Sequence, residues 1–509
     1  MLSQLWSNGQ AQEIDRLSCL KHANVAQDLM EEAGRAVFRK VVLLRRPYQK
    51  ILILAGPGNN GGDALVAGRL LFEAGFPVEV MSVCPQAESP LRQVQRARCE
   101  SIGLSLTAYP GSMTVFPRST FLIDGICGLG LREPLRPGLL RDALVAAAQI
   151  KAETVLAIDL PSGQPADRWA SCEAPLEATH TVTFGALKPA HRLAPAAFAS
   201  GEITCIPLAF DPEVIAQVLK KGPELWESDD RGSGVWSHLG PDAHKYTRGH
   251  VLVIGGSAGK VGACYLAGEA AMRTGCGWVS VAALSPLDQP ARPSFLTYEN
   301  WSSINPQTLS PFITQRRVKA LLIGPGTMDN PLNETTLRFL AACNREQGLG
   351  LIFDAGALRG LAPLLQGLRF EPTRTLLTPH PGEWLALHSK HQPLDTLSGL
   401  APAWEFCEAA GITVFYKASH PFTLSRLGGQ QRLTLTSQGD NRLAKAGSGD
   451  VLAGTALALL AAGVSAAEVG HLAQNRVAAA AQLAAKEYGY NGLTPLDIVQ
   501  KLGRVRENI

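Results

Sequence analysis

Short apolar runs alternate with helical patterns along the N-terminal part of the chain, and turn residues separate them. This alternation predicts βα units, which assemble into a parallel sheet with helices on both faces. The predicted strands are Ile51–Leu54, Val78–Val83, Phe121–Ile123, Val155–Ile158 and Thr181–Phe184, and the predicted helices are Leu65–Ala74 and Leu139–Ala148.

A second α/β series begins with VLVIGGSAGK, a strand pattern that ends in a glycine-rich turn. The polar, glycine-containing stretch KKGPELWESDDRGSGVW before it indicates a linker. We therefore predict domains at 1–220 and 246–509, joined by a linker at 221–245. Further strands are predicted at Ala320–Ile323, Leu351–Phe353, Thr375–Leu377 and Thr413–Tyr416, and helices at Leu266–Thr274 and Asp450–Ala462.

The composition narrows the classes of partner. The 509 residues are 46% hydrophobic and carry a net charge of only +3, without a long basic run. Nucleic acid and an anionic membrane are therefore poor candidate partners. The N-terminus lacks a signal-peptide pattern, and the most apolar stretch, Val451–Ala467, is shorter than the ~20 residues of a membrane span. Ten cysteines without a C-x-x-C pair fit a reducing compartment, so we expect a cytoplasmic protein.

The stretch LAGPGNNGGDALVAGRLL carries Gly56, Gly58 and Gly61 in the spacing G-x-G-x-x-G, between a predicted strand and helix. This is the layout of the phosphate-binding turn of a Rossmann-like, doubly wound fold. An acid that binds the ribose is expected at the end of the second strand, but Glu79 falls inside that strand. The alternative is that these glycines serve only tight turns.

Three further loops leave predicted strands with polar residues: DGICGLGLREP, DLPSG and FGALKPAH. Because ligands bind outside the carboxyl ends of parallel strands, these loops are candidate site elements. Asn60, Asp124 and Ser162 offer hard oxygen ligands, which suit a bound cation. Asp159 can act as an acid or base, or orient a substrate hydroxyl. The alternative for both aspartates is that they only cap loops.

The C-terminal segment LAKAGSGDVLAGTALALLAAG places Gly447, Ser448 and Gly449 before Asp450 at a predicted helix start. Free amides there bind anions, and a carboxylate beside them can accept a proton from a hydroxyl. The alternative is a simple N-cap. The loops IGPGT, LLTPHPGEW and YKASHPFT also follow strands, which favours convergence on one site. No Walker-type G-x-x-x-x-G-K-[ST] motif is present.

The motifs GPGNNGGDALVAGRL, DGICGLG, AIDLPSG and TVTFGALKPAH, with QDLMEEAGRA before them, resemble the epimerase domain of bifunctional NAD(P)H-hydrate repair enzymes over roughly residues 10–215. The resemblance implies a potassium ion held by Asn60, Asp124 and Ser162. The family usually has G-D-G where this chain has Gly62-Asp63-Ala64. The implied dinucleotide contacts are Asn59, Asn60, Gly61, Gly62, Asp63, Gly128, Leu129, Gly130, Leu131, Arg132, Glu133, Pro134 and Asp159.

GGSAGKVGACYLAGEAAMRTGCGWVSVA, TPHPGE and NRLAKAGSGDVLAGT are similar to the ribokinase-like ADP/ATP-dependent dehydratases of that same family, over roughly residues 235–500. The implied contacts to the hydrated dinucleotide are Ala263, Gly326, His380 and Asp450. The implied contacts to the adenine nucleotide are Lys417, Ala418, Ser419, His420, Pro421 and Gly449.

This chain departs from the dehydratase pattern at three places. The family usually reads D-A-D-A-L where this chain has Gly356 in place of the second acid, and often L-K-G where it has Ala418. It usually reads T-G-G-S-G-D where this chain has Lys445 and Ala446 before Gly447. Gly356 puts the role of the second acid in doubt, and Lys445 adds a cation near the expected phosphates. Since Asp450 and its turn are intact, we expect activity.

The resemblance implies that the N-terminal domain interconverts the R and S epimers of hydrated NADH and NADPH (NADHX and NADPHX). The C-terminal domain is implied to dehydrate the S epimer with ADP and Mg²⁺, giving AMP and phosphate, with Asp450 as base. We expect a homo-oligomer. Two alternatives remain open: a small-molecule kinase fused to a dinucleotide-binding domain, and a non-catalytic binding role for the N-terminal domain.

Overall fold

The structure, a computed structural model, describes residues 2–21, 24–111, 116–170, 176–228, 240, 242–285, 293–387, 392–436 and 440–505. The chain divides into two compact units. The N-terminal unit comprises Gln4–Pro223 and Asp395–Ser398. The C-terminal unit comprises Glu224–Leu394 and Gly399–Ile509, together with the first three residues.

The elements up to residue 223 alternate in the predicted manner. The strands are β1 (Leu2–Leu5), β2 (Lys50–Ala55), β3 (Val78–Ser82), β4 (Leu106–Ala108), β5 (Thr120–Gly125), β6 (Thr154–Ile158), β7 (His180–Phe184) and β8 (Glu202–Ile206). The helices are α1 (Asn8–Lys21), α2 (Val25–Leu44), α3 (Asn59–Glu73), α4 (Pro90–Ser101), α5 (Leu139–Ala148) and α6 (Pro212–Leu219).

The sheet of the N-terminal unit has the order β4-β3-β2-β5-β6-β7-β8, and all its pairs are parallel. The order reverses between β2 and β5, which is the switch point of a doubly wound fold. In β2, Ile51 and Ile53 pack into one apolar cluster and Leu52 and Leu54 into another. Both faces of the strand are therefore covered, which explains its unbroken apolar run. The predicted α/β class with a Rossmann-like sheet is confirmed.

The C-terminal unit contains the strands β9 (Glu224–Ser228), β10 (His250–Gly255), β11 (Trp278–Ala283), β12 (Thr297–Asn300), β13 (Val318–Ile323), β14 (Gly350–Phe353), β15 (Thr375–Leu377), β16 (Thr413–Tyr416), β17 (Phe422–Leu427) and β18 (Gln430–Thr436). Its helices are α7 (Gly262–Thr274), α8 (Pro306–Arg316), α9 (Glu334–Gln347), α10 (Leu361–Leu364), α11 (Pro381–Leu387), α12 (Ala401–Ala410), α13 (Ser448–Ala461), α14 (Ala466–Tyr488) and α15 (Pro495–Leu502).

The sheet of the C-terminal unit has the strand order β1-β9-β18-β17-β16-β15-β14-β13-β10-β11-β12, and the first residues of β1 belong to this unit. The strands from β16 to β12 in this order are parallel to their neighbours, whereas β17 is antiparallel to both β16 and β18. Helix α13 packs against α7, and a Cβ on Gly454 would overlap the Ala267 carbonyl oxygen. The small residues of α13 thus permit a close helix contact.

The predicted linker at 221–245 is partly wrong. Glu224–Ser228 form β9, which pairs with β18 in parallel. Leu225 packs in the interior, and Arg432 of β18 donates to Glu224 at 2.8 Å. The residues ELWES therefore form a strand between β1 and β18, and their polar character led to the prediction of a linker. Residues 229–239 and 241 of the predicted linker lie outside the described residues.

Among the described helices, none combines the length and apolarity that a membrane span requires.

Candidate functional sites

The glycines of the first turn divide into two kinds. A Cβ on Gly56 would overlap the Ile126 carbonyl, and a Cβ on Gly61 would overlap the Gly56 carbonyl. These two glycines permit close approach of protein backbone, as the tight-turn alternative requires. Gly58, in contrast, is exposed and has no atom within 4 Å of its Cβ position. It precedes α3 and faces open space, so it leaves room for a ligand at the helix start.

Asp159 follows β6 in a left-handed conformation, with φ of +66°. Its Oδ1 accepts hydrogen bonds from Lys188 Nζ at 2.7 Å and from Thr183 Oγ1 at 2.9 Å. Burial alone would raise the pKa of this carboxyl, but Lys188 lowers it below its usual value. Asp159 is therefore a buried, ionised carboxylate.

His191 fixes the backbone around Asp159. The Lys188 backbone N–H donates to His191 Nδ1 at 3.0 Å, so the ring proton lies on Nε2. That nitrogen donates to the Asp159 carbonyl at 2.8 Å. Burial, aided by the Lys188 charge, lowers the pKa of His191 to about 3. The imidazole is therefore neutral and holds the loop after β7 against the loop after β6.

Asp124 and Ser162 form the second polar group of this edge. Ser162 Oγ donates to Asp124 Oδ1 at 2.5 Å, and the Ser162 backbone N–H donates to Oδ2 at 2.8 Å. Burial raises the pKa of Asp124 to about 6 despite these donors and the Ile126 amide. A cation beside this carboxylate would favour its ionised form.

Asn60 lies in the first turn of α3, beside Gly128. A Cβ on Gly128 would lie 2.9 Å from Asn60 Oδ1 and 3.3 Å from Asp159 Oδ2. Asn60 Nδ2 is buried without a hydrogen-bond partner among the described residues. The oxygens of Asn60, Asp124 and Ser162 are hard donors of the kind that potassium accepts, so the residues fit such an ion. No group of three His, Cys, Asp or Glu side chains suited to a metal occurs within the described ranges.

Asn60, Gly128 and Asp159 border a cavity of about 490 Å³ in the N-terminal unit, whereas Asp124 and Ser162 are not among its lining residues. Eight of the predicted dinucleotide contacts line it, whereas Gly61, Gly62 and the loop 132–134 do not. Asp15 and Lys188 also line the cavity and were not predicted as site residues, although Lys188 lies in the motif FGALKPAH. The lining consists of Trp6, Ala11, Gln12, Asp15, Cys19, Ala26, Leu29, Met30, Ala33, Pro57, Gly58, Asn59, Asn60, Asp63, Leu91, Ile126, Cys127, Gly128, Leu129, Gly130, Leu131, Leu140, Asp159, Phe184, Lys188, Leu208 and Phe210.

In the C-terminal unit, Asp450 occupies the first turn of α13, after Gly447 in a left-handed conformation. The N-cap residue of α13 is Gly447, so the simple N-cap alternative for Asp450 does not hold. Burial raises the pKa of Asp450 to about 7, aided by the charges of Asp354 and Glu383, whereas Lys417 opposes the shift. A carboxyl with this pKa can accept a proton near neutrality.

Lys417 connects three of the predicted loops. Its Nζ donates to Asp354 Oδ1 at 2.7 Å and lies 3.6 Å from Glu383 Oε2. It also lies 3.9 Å from the Cβ position of Gly449. Burial would lower the pKa of Lys417, but Asp354 and Glu383 raise it above its usual value, so the ammonium stays charged. A cation is thereby fixed beside the start of α13, with the turn 418–421 following it.

Two further predicted contacts are neighbours. Gly326 has φ of +66°, and its Cβ position lies 3.2 Å from Ala263 Cβ.

His380 is more than half exposed and accepts hydrogen bonds at Nδ1 from the amides of Gly382 and Glu383. Its own amide donates to Glu383 Oε2 at 2.9 Å. His380 thus belongs to the same loop as Glu383, which faces Lys417.

The structure gives physical reasons for two departures. A Cβ on Gly356 would overlap Thr327 Oγ1, which donates to the Gly324 carbonyl at 2.8 Å. A larger residue has no room there. Lys445 Nζ donates to the carbonyl oxygens of Asn491 and Leu493 at 2.7 and 2.5 Å. That ammonium therefore already has two backbone acceptors.

Comparison with known proteins gives matches over both units. Residues 26–190 match the family model described as YjeF-related protein N-terminus, and residues 251–504 match the model described as NAD(P)H-hydrate dehydratase. The bifunctional NAD(P)H-hydrate repair enzyme of Coxiella burnetii is 30% identical, with 98% of this chain and 99% of that protein covered. The enzyme of that name from Escherichia coli is 28% identical, with 94% and 89% covered.

A crystal structure of an ADP/ATP-dependent NAD(P)H-hydrate dehydratase from Bacillus subtilis with ATP and Mg²⁺ is 26% identical. It covers 54% of this chain and 94% of that one, with a TM-score of 0.41. The family resemblance drawn from the motifs is confirmed by the sequence matches. The predicted α/β class of the C-terminal unit agrees with its observed sheet and helices.

Proposed function

This chain belongs to the family of bifunctional NAD(P)H-hydrate repair enzymes, and on that premise we propose how its two units divide the reaction. The N-terminal unit interconverts the R and S epimers of NADHX and NADPHX. The C-terminal unit dehydrates the S epimer with ADP, giving NAD(P)H, AMP and phosphate.

The observation that carries the dehydratase half is the cluster of Asp450, Lys417 and Asp354. In our proposal Asp450 accepts the proton of the ring hydroxyl, whose oxygen attacks the terminal phosphorus of ADP as AMP leaves. The C–O bond then breaks, phosphate departs, and loss of a ring proton restores the dihydronicotinamide. The Lys417 ammonium would stabilise the negative charge of the transferred phosphoryl group, because its Nζ lies beside Gly449 at the start of α13.

The remaining dehydratase contacts stay as predicted from the family. Ala263, Gly326 and His380 would bind the hydrated nucleotide, and the segment 417–421 with Gly449 would bind the adenine nucleotide. Mg²⁺ would bind chiefly through the phosphates and neutralise their charge.

The epimerase half rests on the cavity and its strand-end carboxylates. Potassium would be held by Asn60, Asp124 and Ser162, and the buried carboxyl of Asp124 supports a cation there. Asp159, kept ionised by Lys188, would face the nicotinamide ring. The loops 59–63 and 128–134 would contact the dinucleotide. A homo-oligomer in the cytoplasm remains a prediction, which light scattering and fractionation would test.

The deciding experiment incubates the full chain with mixed NADHX epimers, with and without ADP, and follows NADH absorbance. We expect complete conversion only with ADP. Conversion of one epimer alone would show an inactive N-terminal unit. A stable phosphorylated product would favour the small-molecule kinase. Asp450→Asn should abolish conversion, whereas the exposed Asp329→Asn in that unit should not.

A further inference from the structure

Three carboxyl groups from three elements line the cavity of the N-terminal unit: Asp15 on α1, Asp63 on α3 and Asp159 after β6. Among the residues that the structure describes, Asp159 is the only one of the three with a cationic partner, Lys188. Within the described part of the chain, Asp63 makes no hydrogen bond or ion pair through its carboxyl group. Asp15 has one weak donor there, Cys19 Sγ at 3.9 Å. The cavity therefore contains two carboxyls that no cation neutralises.

The environment gives these carboxyls different protonation states. Burial raises the pKa of Asp63 well above its usual value, and the charges of Asp159 and Asp15 raise it further. Burial also raises the pKa of Asp15. The pKa of Asp159 is lowered, because Lys188 outweighs burial. One cavity thus holds a carboxyl whose pKa is lowered by a cationic partner and a second whose pKa is raised by burial and by two neighbouring carboxyls. Environments that push the pKa values of two carboxyls apart in this way suit them to different roles in one active site.

Epimerisation of the hydrated nicotinamide inverts the ring carbon that carries the hydroxyl and adjoins the ring nitrogen. Hydroxide is a poor leaving group, so its departure needs a proton donor. We propose that Asp63 is the general acid that protonates this hydroxyl, and that Asp15 is a positioning residue that keeps Asp63 protonated. This inference rests on the proposed epimerase function of the N-terminal unit.

The step balances without an outside oxidant or reductant. Asp63 donates its proton to the hydroxyl, the C–O bond breaks, and the ring-nitrogen lone pair forms a C=N bond, giving an iminium ion and water. Water then adds to the opposite face and returns a proton to the Asp63 carboxylate. The ionised Asp159 stabilises the positive ring during the step.

Asp63 is better placed as the acid than its charged neighbours. Asp159 is ionised and accepts from Lys188 and Thr183, so it has no proton to give. On the helices packed against α3, Arg92 of α4 donates to Ser82 and Glu31 of α2 is paired with Arg69 of α3 itself. Asp15 and Asp159 are therefore the charges that set the protonation of Asp63.

The first test uses the full chain without ADP and measures interconversion of purified S- and R-NADHX by chromatography, with the uncatalysed rate subtracted. Asp63→Asn should lower the epimerisation rate about 100-fold or more, as expected for loss of a general acid. The exposed Asp142→Asn on α5 is the matched control and should keep the wild-type rate. ADP-dependent dehydration of S-NADHX by the same sample shows that the C-terminal unit is intact and should not change. Hydrogen exchange of the peptides that cover α3 and β2 reports on folding of the N-terminal unit and should also match wild type.

The outcomes separate the two proposals. If the wild-type chain does not epimerise, the proposed function of the N-terminal unit is wrong. If it epimerises and Asp63→Asn does so at more than half its rate, Asp63 is not the acid. Epimerisation in ¹⁸O-labelled water should place ¹⁸O on the inverted carbon, and retention of the original oxygen would overturn C–O cleavage.

The second test addresses Asp15 through the pH profile. Since the protonated form of Asp63 is active, epimerisation should fall as pH rises through its pKa. Asp15→Asn removes a charge that raises this pKa, so the alkaline limb should move to lower pH. Asp15→Glu keeps the negative charge, so the alkaline limb of the pH profile should lie where it does in wild type. An unchanged limb in Asp15→Asn would contradict the positioning role, because a purely structural loss lowers the rate without moving the profile.

Discussion

Lys188 Nζ lies 2.7 Å from Asp159 Oδ1, and the two side chains are only 1% and 8% exposed. The C-terminal unit repeats the relationship with Lys417 Nζ, 2.7 Å from Asp354 Oδ1. In each unit the aspartate follows a parallel strand at the edge where ligands bind. A buried pair of this kind is costly to break, because the remaining charge is left without compensation.

We predict that Lys188→Met destabilises the N-terminal unit by about 3–5 kcal/mol near neutral pH. The pKa of Asp159 is lowered in the folded protein, so the pair contributes stability above the ordinary pKa of an aspartate and loses it as pH falls. The defect should therefore be largest near neutrality and shrink towards low pH.

Hydrogen exchange of the peptides that cover β6 and β7 measures this destabilisation directly. Lys40→Met is the matched control, since Lys40 pairs with Glu202, which is 68% exposed, and solvent screening makes such a pair weak. Equal losses in the two variants, or a Lys188→Met defect that does not depend on pH, would contradict the prediction.

Dehydration should depend on pH through Asp450. The pKa of Asp450 is raised to about 7, and the base must be ionised, so kcat should rise with pH and reach half its maximum near pH 7. Asp354→Asn removes a charge that raises this pKa, so the midpoint should move to lower pH. The measurement is kcat for S-NADHX with saturating ADP, and Asp329→Asn is the control. A midpoint that stays fixed or rises in Asp354→Asn would exclude this coupling.

The sequence predicted the central strands of both sheets, because these are continuous apolar runs, whereas β4, β8, β11, β12, β17 and β18 were not predicted. β9 was missed because its ELWES sequence is mostly polar, and it forms a strand by pairing with β18 and β1, which lie far from it in the sequence. Asn60, Asp124, Ser162 and Asp450 were located from motif spacing, since each stands at a strand end or helix start.

The sequence could not identify Asp15, since a single acid in an amphipathic helix is normally solvated. Its approach to Asp63 depends on how α1 packs beside the sheet, which no local pattern encodes. The pKa values of the two strand-end aspartates also depend on contacts between distant parts of the chain. Lys188 lowers the pKa of Asp159, whereas burial raises that of Asp124. Motif spacing alone does not show which of these two carboxyls has the lowered pKa and which the raised one.

Potassium should stabilise the N-terminal unit more strongly at high pH than at low pH. The pKa of Asp124 is raised to about 6 by burial, so folding binds a proton and stability falls as pH rises towards 6. A cation can replace that proton above pH 6, where the carboxylate is free to bind it. At 100 times its Kd, potassium would add about 2.7 kcal/mol.

Hydrogen exchange of peptides covering β5 and α3, at about pH 8 and pH 5, tests this effect. Potassium chloride should slow exchange at pH 8 and have little effect at pH 5, whereas tetramethylammonium chloride should do neither. Asp124→Asn should lose the potassium response. An equal response at both pH values, or in the variant, would place the ion elsewhere.

Gly356 is a packing requirement of this chain, so restoring a side chain there should destabilise it. A Cβ at this position would overlap Thr327 Oγ1, which the Gly324 carbonyl holds in place. We predict that Gly356→Ala costs about 1–3 kcal/mol, the usual range for overpacking. Gly262→Ala is the matched control, because its Cβ position in α7 has no atom within 4 Å, and alanine there should be neutral or stabilising by up to about 1 kcal/mol. Thermal unfolding of both variants measures the difference, and a Gly356→Ala protein as stable as wild type would show that Thr327 can move aside.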